Sequence, residues 1–227
     1  MDVRNIVAVI PAAGIGKRVG ANIPKQYLLL RDKTIIEHSL TPFLEHPDIQ
    51  RVIVSVAHND QWFTHLSLAN HPKIEVVQGG AERVDSVMAA LNIIDADDYV
   101  LVHDAARPCI SSEDINKLIS TVRGNLNGAI LACKVRDTMK RSNSRQSIEG
   151  TVDRENLWHA LTPQMFLNAQ LCDAINRCQQ PEKITDEASA LEMAGVTVNV
   201  VEGRSDNLKV TREEDLKLAA FYLSQGE

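Results

Sequence analysis

Aromatic residues are scarce in this chain, at 4% of its 227 positions, and no apolar run approaches the length of a membrane-spanning helix. The run Ile6 to Ile10 is also too short for the centre of a secretion signal, so a cytoplasmic protein without a membrane partner is expected. Cysteine is rare as well. Cys109, Cys133, Cys172 and Cys178 show no C-x-x-C spacing and no small secreted framework, so reduced thiols are the expectation. None of the seven histidines belongs to an H-E-x-x-H motif, which leaves zinc without support. Basic residues are outnumbered: 24 Lys and Arg against 30 Asp and Glu give a net charge of −6. A general nucleic-acid or anionic-membrane surface is therefore not expected, and any anionic ligand has to be held by a local cluster of cations. What is present is 44% hydrophobic and 24% charged residues, ample for one α/β domain over 1–227.

The segment from Ile6 to Tyr27 concentrates what a phosphate site needs. Ile6-Val-Ala-Val-Ile10 is apolar, largely β-branched and without alternation, so it reads as a strand buried on both faces of a parallel sheet. It stops at Pro11 and opens into Ala12, Ala13, Gly14 and Gly16, small residues that let a ligand lie against main chain and offer N–H groups to phosphate oxygens. Lys17, Arg18 and Lys25 add three cations within nine residues. A dinucleotide fingerprint would need its third glycine at Val19, whereas the next glycine is Gly20. A P-loop would need G-x-x-x-x-G-K-[ST], which Gly14 through Gly20 and Ala21 do not supply. The stretch reads as a nucleoside-triphosphate cradle; the plainer reading is a glycine-rich βα turn with solvated cations.

Downstream, Thr34-Ile-Ile-Glu37 is a capping box that predicts a helix over about 35–45, ending before Pro47. Strands are predicted at Arg51–Val56 and Lys73–Val77, with a helical stretch over 58–70 between them. Gln78-Gly79-Gly80, followed by Val84, Val87, Met88 and Leu91 at helical spacing, repeats the architecture of the first turn. The two glycine turns can form the floor and wall of a base pocket, or Gly79-Gly80 can be a tight βα connection only. Tyr99–His103 is another buried strand, ended by Asp104-Ala-Ala-Arg107-Pro108. An aspartate there lies where open α/β sheets bind ligands and where a phosphate-bridging Mg²⁺ finds a carboxylate; taken alone it also reads as a partner of Arg107. A helix capped by Ser111 or Ser112 and ended by Arg123-Gly124, then a strand over 128–135, continue the alternation. The prediction is an α/β fold of Rossmann-like, doubly wound type with a mostly parallel sheet.

From Arg136 to Arg154 the apolar residues thin out to Met139, Ile148 and Val152. Two short strands around the polar loop Ser142–Ser147 read as a β-hairpin, too poor in apolar surface to anchor itself. Over about 136–156 it is expected to project as an arm covered by a second subunit in a homodimer, the alternative being a loose surface loop. Beyond Trp158, where the chain returns to the domain, Thr185-Asp-Glu caps a helix to Glu192 that stops at Gly195. Val196–Val201 is a late strand, and Thr211 to Glu214 form a second capping box just after Lys209.

Taken in order, Pro11-Ala-Ala-Gly-x-Gly-Lys-Arg18, Pro24-Lys-Gln-Tyr27, His103-Asp-Ala-Ala-Arg-Pro108, Val135-Arg-Asp-Thr138, Thr151-Val-Asp-Arg154, Ile184-Thr-Asp-Glu-Ala188 and Asn207-x-Lys-Val-Thr211 resemble the 2-C-methyl-D-erythritol 4-phosphate cytidylyltransferases. That family, of nucleotidyltransferase fold, serves the non-mevalonate isoprenoid pathway. The resemblance implies that Arg18 and Lys25 contact the triphosphate and stabilise the transition state. It implies that the backbone of Ala12, Ala13, Gly14 and Gly16, with Gly80 and Ser86, holds cytidine. Lys17, Arg83, Asp104, Ala105 and Lys209 are further CTP contacts on the same ground. Asp104, Arg107, Thr138, Arg154, Thr162, Thr185 and Lys209 would line the site for the polyol phosphate. In the family the hairpin embraces the partner subunit, so Thr138 and Arg154 would act in the neighbour's site. Mg²⁺ is the implied cofactor, with Asp104 its ligand. One departure stands out: Ala81 follows Gly79-Gly80 where an acidic residue near the ribose is often found.

The implied reaction is attack by a phosphate-monoester oxygen on the α-phosphorus of CTP. A monoester has its second pKa near ~6, so the nucleophile is already largely dianionic and needs no general base. The obstacle is repulsion between two anions, which calls for alignment and charge neutralisation. Two other readings stay open on the residues alone: a cytidylyltransferase for another polyol phosphate such as ribitol 5-phosphate, and a non-catalytic nucleotide-binding regulator.

Overall fold

The computed structural model describes residues 4–14, 23–125 and 127–225. In chain order the elements are β1 (Ile6–Pro11), β2 (Leu29–Leu30), β3 (Lys33–Thr34), α1 (Ile35–Glu45), β4 (Ile49–Val56), β5 (Ile74–Gln78), α2 (Arg83–Leu91) and β6 (Tyr99–Val102). They continue with α3 (Ser112–Asn125), β7 (Ala129–Lys134), β8 (Met139–Ser142), β9 (Ile148–Val152), β10 (Trp158–Leu167), α4 (Asn168–Arg177), α5 (Glu187–Met193), β11 (Asn199–Glu202) and α6 (Glu213–Ser224). Among the described residues, a seven-stranded sheet runs in the order β11-β7-β10-β6-β1-β4-β5. All its neighbours are parallel except β10, which is antiparallel to both β6 and β7.

β1 lies inside the sheet between β6 and β4, and its alternating side chains divide the core. Ile6, Ala8 and Ile10 pack on one face with Ile36, Leu40 and Phe43 of α1 and Ile115, Leu118 and Val122 of α3. Val7 and Val9 pack on the other with Val87 and Leu91 of α2, Leu171 of α4 and Leu191 of α5. Ile6 through Ile10 are fully buried, and each of the Ile and Val side chains among them contributes roughly 1.5–3 kcal/mol. That two-sided burial is why the run lacks alternation. After β1 the chain winds outward to β4 and β5, then returns to the opposite side of β1 as β6. The crevice at the carboxyl ends of β1 and β6 is therefore the switch point where open sheets take ligands.

α1 has the predicted limits, and Thr34 and Glu37 cap it reciprocally: Glu37 N–H donates to Thr34 Oγ1 at 3.4 Å and Thr34 N–H to Glu37 Oε2 at 2.9 Å. The helical stretch predicted over 58–70 is not an α-helix but linked turns around a short 3-10 segment, Phe63–His65. Side chains capture its backbone: Asp60 accepts from Trp62 N–H (3.0 Å) and Phe63 N–H (2.8 Å), and Glu37 accepts from Ser67 N–H (3.1 Å). The cap of α6 is shifted by one residue from the predicted box, since Asp215 rather than Glu214 accepts from Thr211 N–H (2.8 Å). Thr185 likewise gives way to Asp186, which caps α5 by accepting from Ser189 N–H at 2.9 Å.

β8 and β9 form the expected hairpin as a separate two-stranded sheet, Met139 opposite Val152. Ile148 at its far strand is 68% exposed, so the hairpin offers apolar surface that its own chain leaves open. Among the described residues no helix is long and apolar enough to cross a membrane, and all four cysteines are free thiols.

Close packing beside the sheet yields one test. A Cβ added at Gly128 would stand 1.9 Å from Cδ1 of the fully buried Phe166, near the end of β10. Gly128→Ala is expected to lower stability by about 1–3 kcal/mol through overpacking. Urea denaturation should show a lower midpoint at unchanged slope; an unchanged midpoint would contradict this packing.

Candidate active site

Three chain turns meet at the switch point. The first is the main chain after β1, where Ala12 N–H donates to Ser55 O of β4 at 2.8 Å. The second is the turn after β5, where Gly80 N–H donates to Ser86 Oγ at 3.2 Å. They touch at Gly79, whose added Cβ would lie 2.7 Å from both Ala13 Cβ and Ser86 Oγ. Only a glycine allows so close an approach. The third turn, after β6, carries Asp104.

Between these turns lies a cleft of about 640 Å³ that opens to solvent, and Ala12, Ala13, Gly14, Gly80, Ser86 and Ala105 line it with Lys25, Arg83, Asp104 and Lys209. A second hollow of about 550 Å³ adjoins it, lined by Arg107, Thr162 and Thr185. Arg83, Asp104 and Lys209 border both. Thr138 and Arg154 lie instead on the exposed arm, where Arg154 Nη1 donates to Arg136 O. Gly16, Lys17 and Arg18 are outside the described residues.

Asp104 is the hub. Its Oδ1 receives Arg83 Nε at 3.2 Å, and its Oδ2 receives Arg107 Nε at 3.3 Å and Lys209 Nζ at 3.0 Å. Burial resists ionisation of this carboxyl, yet Arg83, Lys209 and Arg107 overcome it and hold its pKa well below the usual carboxylate range. Arg83 is fixed from behind by Glu187, which is 2% exposed and takes Nη1 at 2.6 Å and Nη2 at 3.1 Å. Arg83 thus spends N–H groups on two carboxylates, a scaffold geometry more than that of a ligand contact. Arg107 Nη1 donates to Asn207 O at 2.8 Å, and Lys25 Nζ donates to Val210 O at 2.9 Å. The segment 207–210 is in this way bound to both the β6 turn and the Lys25 turn.

Asp104 is not arranged as a metal ligand. Both oxygens are engaged by cations, and the described residues hold no group of three His, Cys, Asp or Glu able to bind a metal. A resident Mg²⁺ site on these side chains does not fit, because three neighbouring cations would repel the ion.

Behind the hub, His103 fixes the turn. Its Nε2 lies 3.1 Å from Arg107 O, which can only accept, so Nε2 carries the proton. Nδ1 then accepts from Thr162 Oγ1 at 2.9 Å, and Thr162 Oγ1 accepts from Asp104 N–H at 3.1 Å. Thr162 reaches this position from the interruption in β10 pairing between Ala160 and Gln164.

The whole chain supports one assignment. The family described as 2-C-methyl-D-erythritol 4-phosphate cytidylyltransferase matches residues 6–225. The chain belongs to this family. A 2-C-methyl-D-erythritol 4-phosphate cytidylyltransferase from Tolumonas auensis is 56% identical over 225 residues, 99% of each chain. One from Photobacterium profundum is 54% identical over 228 residues, 98% of this chain and 97% of the relative. The crystal structure of the Francisella tularensis 2-C-methyl-D-erythritol 4-phosphate cytidylyltransferase is similar at a TM-score of 0.82 and 38% identity, covering 96% of this chain and 99% of that one.

For a cytidylyltransferase sequence, Glu187, His103 and Gln26 are the residues that reading from motifs passed over. Each lay inside a quoted motif, but Glu187 read as part of a helix cap and the other two had no assigned task. The contact between Arg83 and Glu187 spans 104 positions, and nothing local announces it.

Buried His103 gives a pH prediction. Burial pushes its pKa down from 6.5 to about 4, with Asp104 opposing only in part. Between these values the unfolded chain holds a proton that the folded one lacks, so stability falls as pH falls from 6.5 to 4, by about 3 kcal/mol. Thermal melts of His103→Gln should show a shallower loss across that window than the parent chain; equal slopes would refute the neutral, buried ring.

Proposed function

We propose that this chain transfers CMP from CTP to 2-C-methyl-D-erythritol 4-phosphate, yielding 4-diphosphocytidyl-2-C-methyl-D-erythritol and pyrophosphate in isoprenoid biosynthesis. The observation that carries the reading is the gathering of Arg83, Arg107 and Lys209 on Asp104 where two hollows join. Cytidine and the triphosphate take the cleft of Ala12, Ala13, Gly14, Gly80 and Ser86. The polyol phosphate takes the hollow of Arg107, Thr162 and Thr185. The reacting phosphates then meet beside Lys209.

A phosphate oxygen of the polyol phosphate attacks the α-phosphorus, the bond to the bridging α–β oxygen breaks, and pyrophosphate leaves with the electron pair. No proton has to be removed from a nucleophile that is already dianionic. Lys25, with Arg18, offsets the charge that grows on the α-phosphate and the leaving group. A Mg²⁺ accompanying the nucleotide would supply further charge neutralisation. Lys209, 40% exposed at its side chain, is placed to exchange Asp104 for a ligand phosphate. Thr138 and Arg154 complete a neighbour's hollow across a cytoplasmic homodimer formed through the arm.

A pyrophosphate-release assay with CTP and either 2-C-methyl-D-erythritol 4-phosphate or ribitol 5-phosphate tests the reading. Turnover confined to the first alcohol is expected; turnover with neither would end it. Lys25→Ala is expected to lower kcat by about 10²–10³-fold with the fold intact, and near-parental kcat would remove Lys25 from the transition state. Mixing Lys25→Ala with Arg154→Ala subunits should restore activity neither has alone. Absence of any rescue would argue against sharing of sites across the dimer.

A further inference from the structure

We propose that Gln26 is a positioning residue that locks the main chain after β1 to the turn carrying Lys25, so that backbone donors and ammonium are presented to the triphosphate at a fixed offset. This rests on the reading of the cleft as the CTP site. The Gln26 side chain is buried, at 4% exposure for the residue. Its Nε2 donates to Ala12 O at 2.7 Å and to Gly14 O at 3.1 Å. Both partners are carbonyl oxygens, so the amide nitrogen has to face them.

The consequence follows from peptide geometry. In a trans peptide the N–H points opposite to the C=O, so binding Ala12 O to Gln26 turns Ala13 N–H away from Gln26. Ala12 N–H is held at the same time by Ser55 O at 2.8 Å. The peptide planes on either side of Ala12 are thus set by β4 and by Gln26 before any nucleotide arrives. A donor oriented in advance costs no reorganisation when charge develops.

Gln26 sits inside the one-turn segment Lys25–Tyr27. Lys25 Nζ is tied to Val210 O at 2.9 Å. Tyr27 donates its hydroxyl to Asp60 Oδ2 at 2.7 Å and stacks on Trp62 with centroids 5.7 Å apart. These two anchors hold the segment to the rest of the protein. The two Gln26 bonds hold it to the loop, so Lys25 cannot shift relative to Ala12 and Gly14 without breaking them.

Kinetics and CTP titrations of the full chain and of Gln26→Leu and Gln26→Glu test this, with thermal melts to check folding. Gln26→Leu keeps the volume and removes the donors; kcat/KM for CTP should fall by about 10²-fold while KM for the polyol phosphate stays within about twofold. Gln26→Glu sets a carboxylate against two carbonyls, and only its protonated form can donate to Ala12 O. Its activity relative to the parent chain should therefore rise as pH is lowered from about 8 to about 5.5, a trend that a merely structural role would leave flat. A folded Gln26→Leu within about threefold of the parent in kcat/KM for CTP, about 0.65 kcal/mol, would overturn the proposal. So would a Gln26→Glu ratio that does not rise on acidification, which also decides the matter if Gln26→Leu fails to fold. If the parent chain releases no pyrophosphate, the proposed function has failed and the titrations judge Gln26: tenfold weaker CTP binding by Gln26→Leu supports its role, and equal binding overturns it.

Discussion

A single buried carboxylate, Asp104, keeps three cations together that would otherwise drive one another apart. Like charges about 4 Å apart repel by roughly 4 kcal/mol at an effective dielectric constant near 20. Asp104 reverses the sign of that balance at the join of the two hollows, at the cost of its own desolvation. It does so from the end of β6, while its partners come from the start of α2, from its own turn and from the segment before α6. Three distant stretches of chain are thereby held to one point. The position of Arg83 shows the strength of the demand. A guanidinium in the first turn of a helix faces the positive end of the helix dipole, and Glu187 with Asp104 offsets that.

A carboxylate in the middle of an anion site looks like an obstacle to binding. It is better understood as a place-holder. The cations must be near one another before the phosphates arrive, since gathering them at the moment of reaction would add to the barrier. Asp104 supplies the missing negative charge in the meantime. The partners differ in how easily they can be released: Arg83 and Arg107 are also bound to Glu187 and Asn207, whereas Lys209 stands at the exposed edge. The fold therefore separates fixed cations, which define the site, from one that can turn to a ligand.

How far the sequence disclosed this depended on the range of each interaction. β1 was legible because burial on two faces writes an unbroken apolar run. α1 was legible because its cap closes within four residues, from Thr34 to Glu37. The hairpin of β8 and β9 was legible from the thinning of apolar residues after Arg136. Where side chains from elsewhere take hold of the backbone, the reading failed. The stretch after His58 has helical composition, but Glu37 claims the N–H of Ser67 from thirty positions away. β10 was not read as a strand: Pro163 breaks its pattern, and its antiparallel course is set by β6 and β7. Motifs marked Asp104, Lys25 and Lys209 as chemistry without showing that Asp104 gathers Arg83, Arg107 and Lys209 around itself.

The arm completes the charge argument. On the proposed reading, a phosphate dianion entering the hollow of Thr162 and Thr185 meets Arg107, whose Nε and Nη1 are already given to Asp104 and Asn207. It meets Arg83 held between two carboxylates. Lys209 is then the readily released partner among the described cations of that hollow, and one ammonium does not balance two negative charges. A second cation has to come from outside this group. Arg154 is a guanidinium on an exposed hairpin that its own chain leaves outside both hollows. A hairpin so poor in apolar contact gains its stability from what covers it. If a partner subunit provides that cover, folding the arm and completing the phosphate site become the same event. On this account the polar composition of the arm is a condition of catalysis, because an arm able to bury itself against its own domain would keep Arg154 from the neighbouring site.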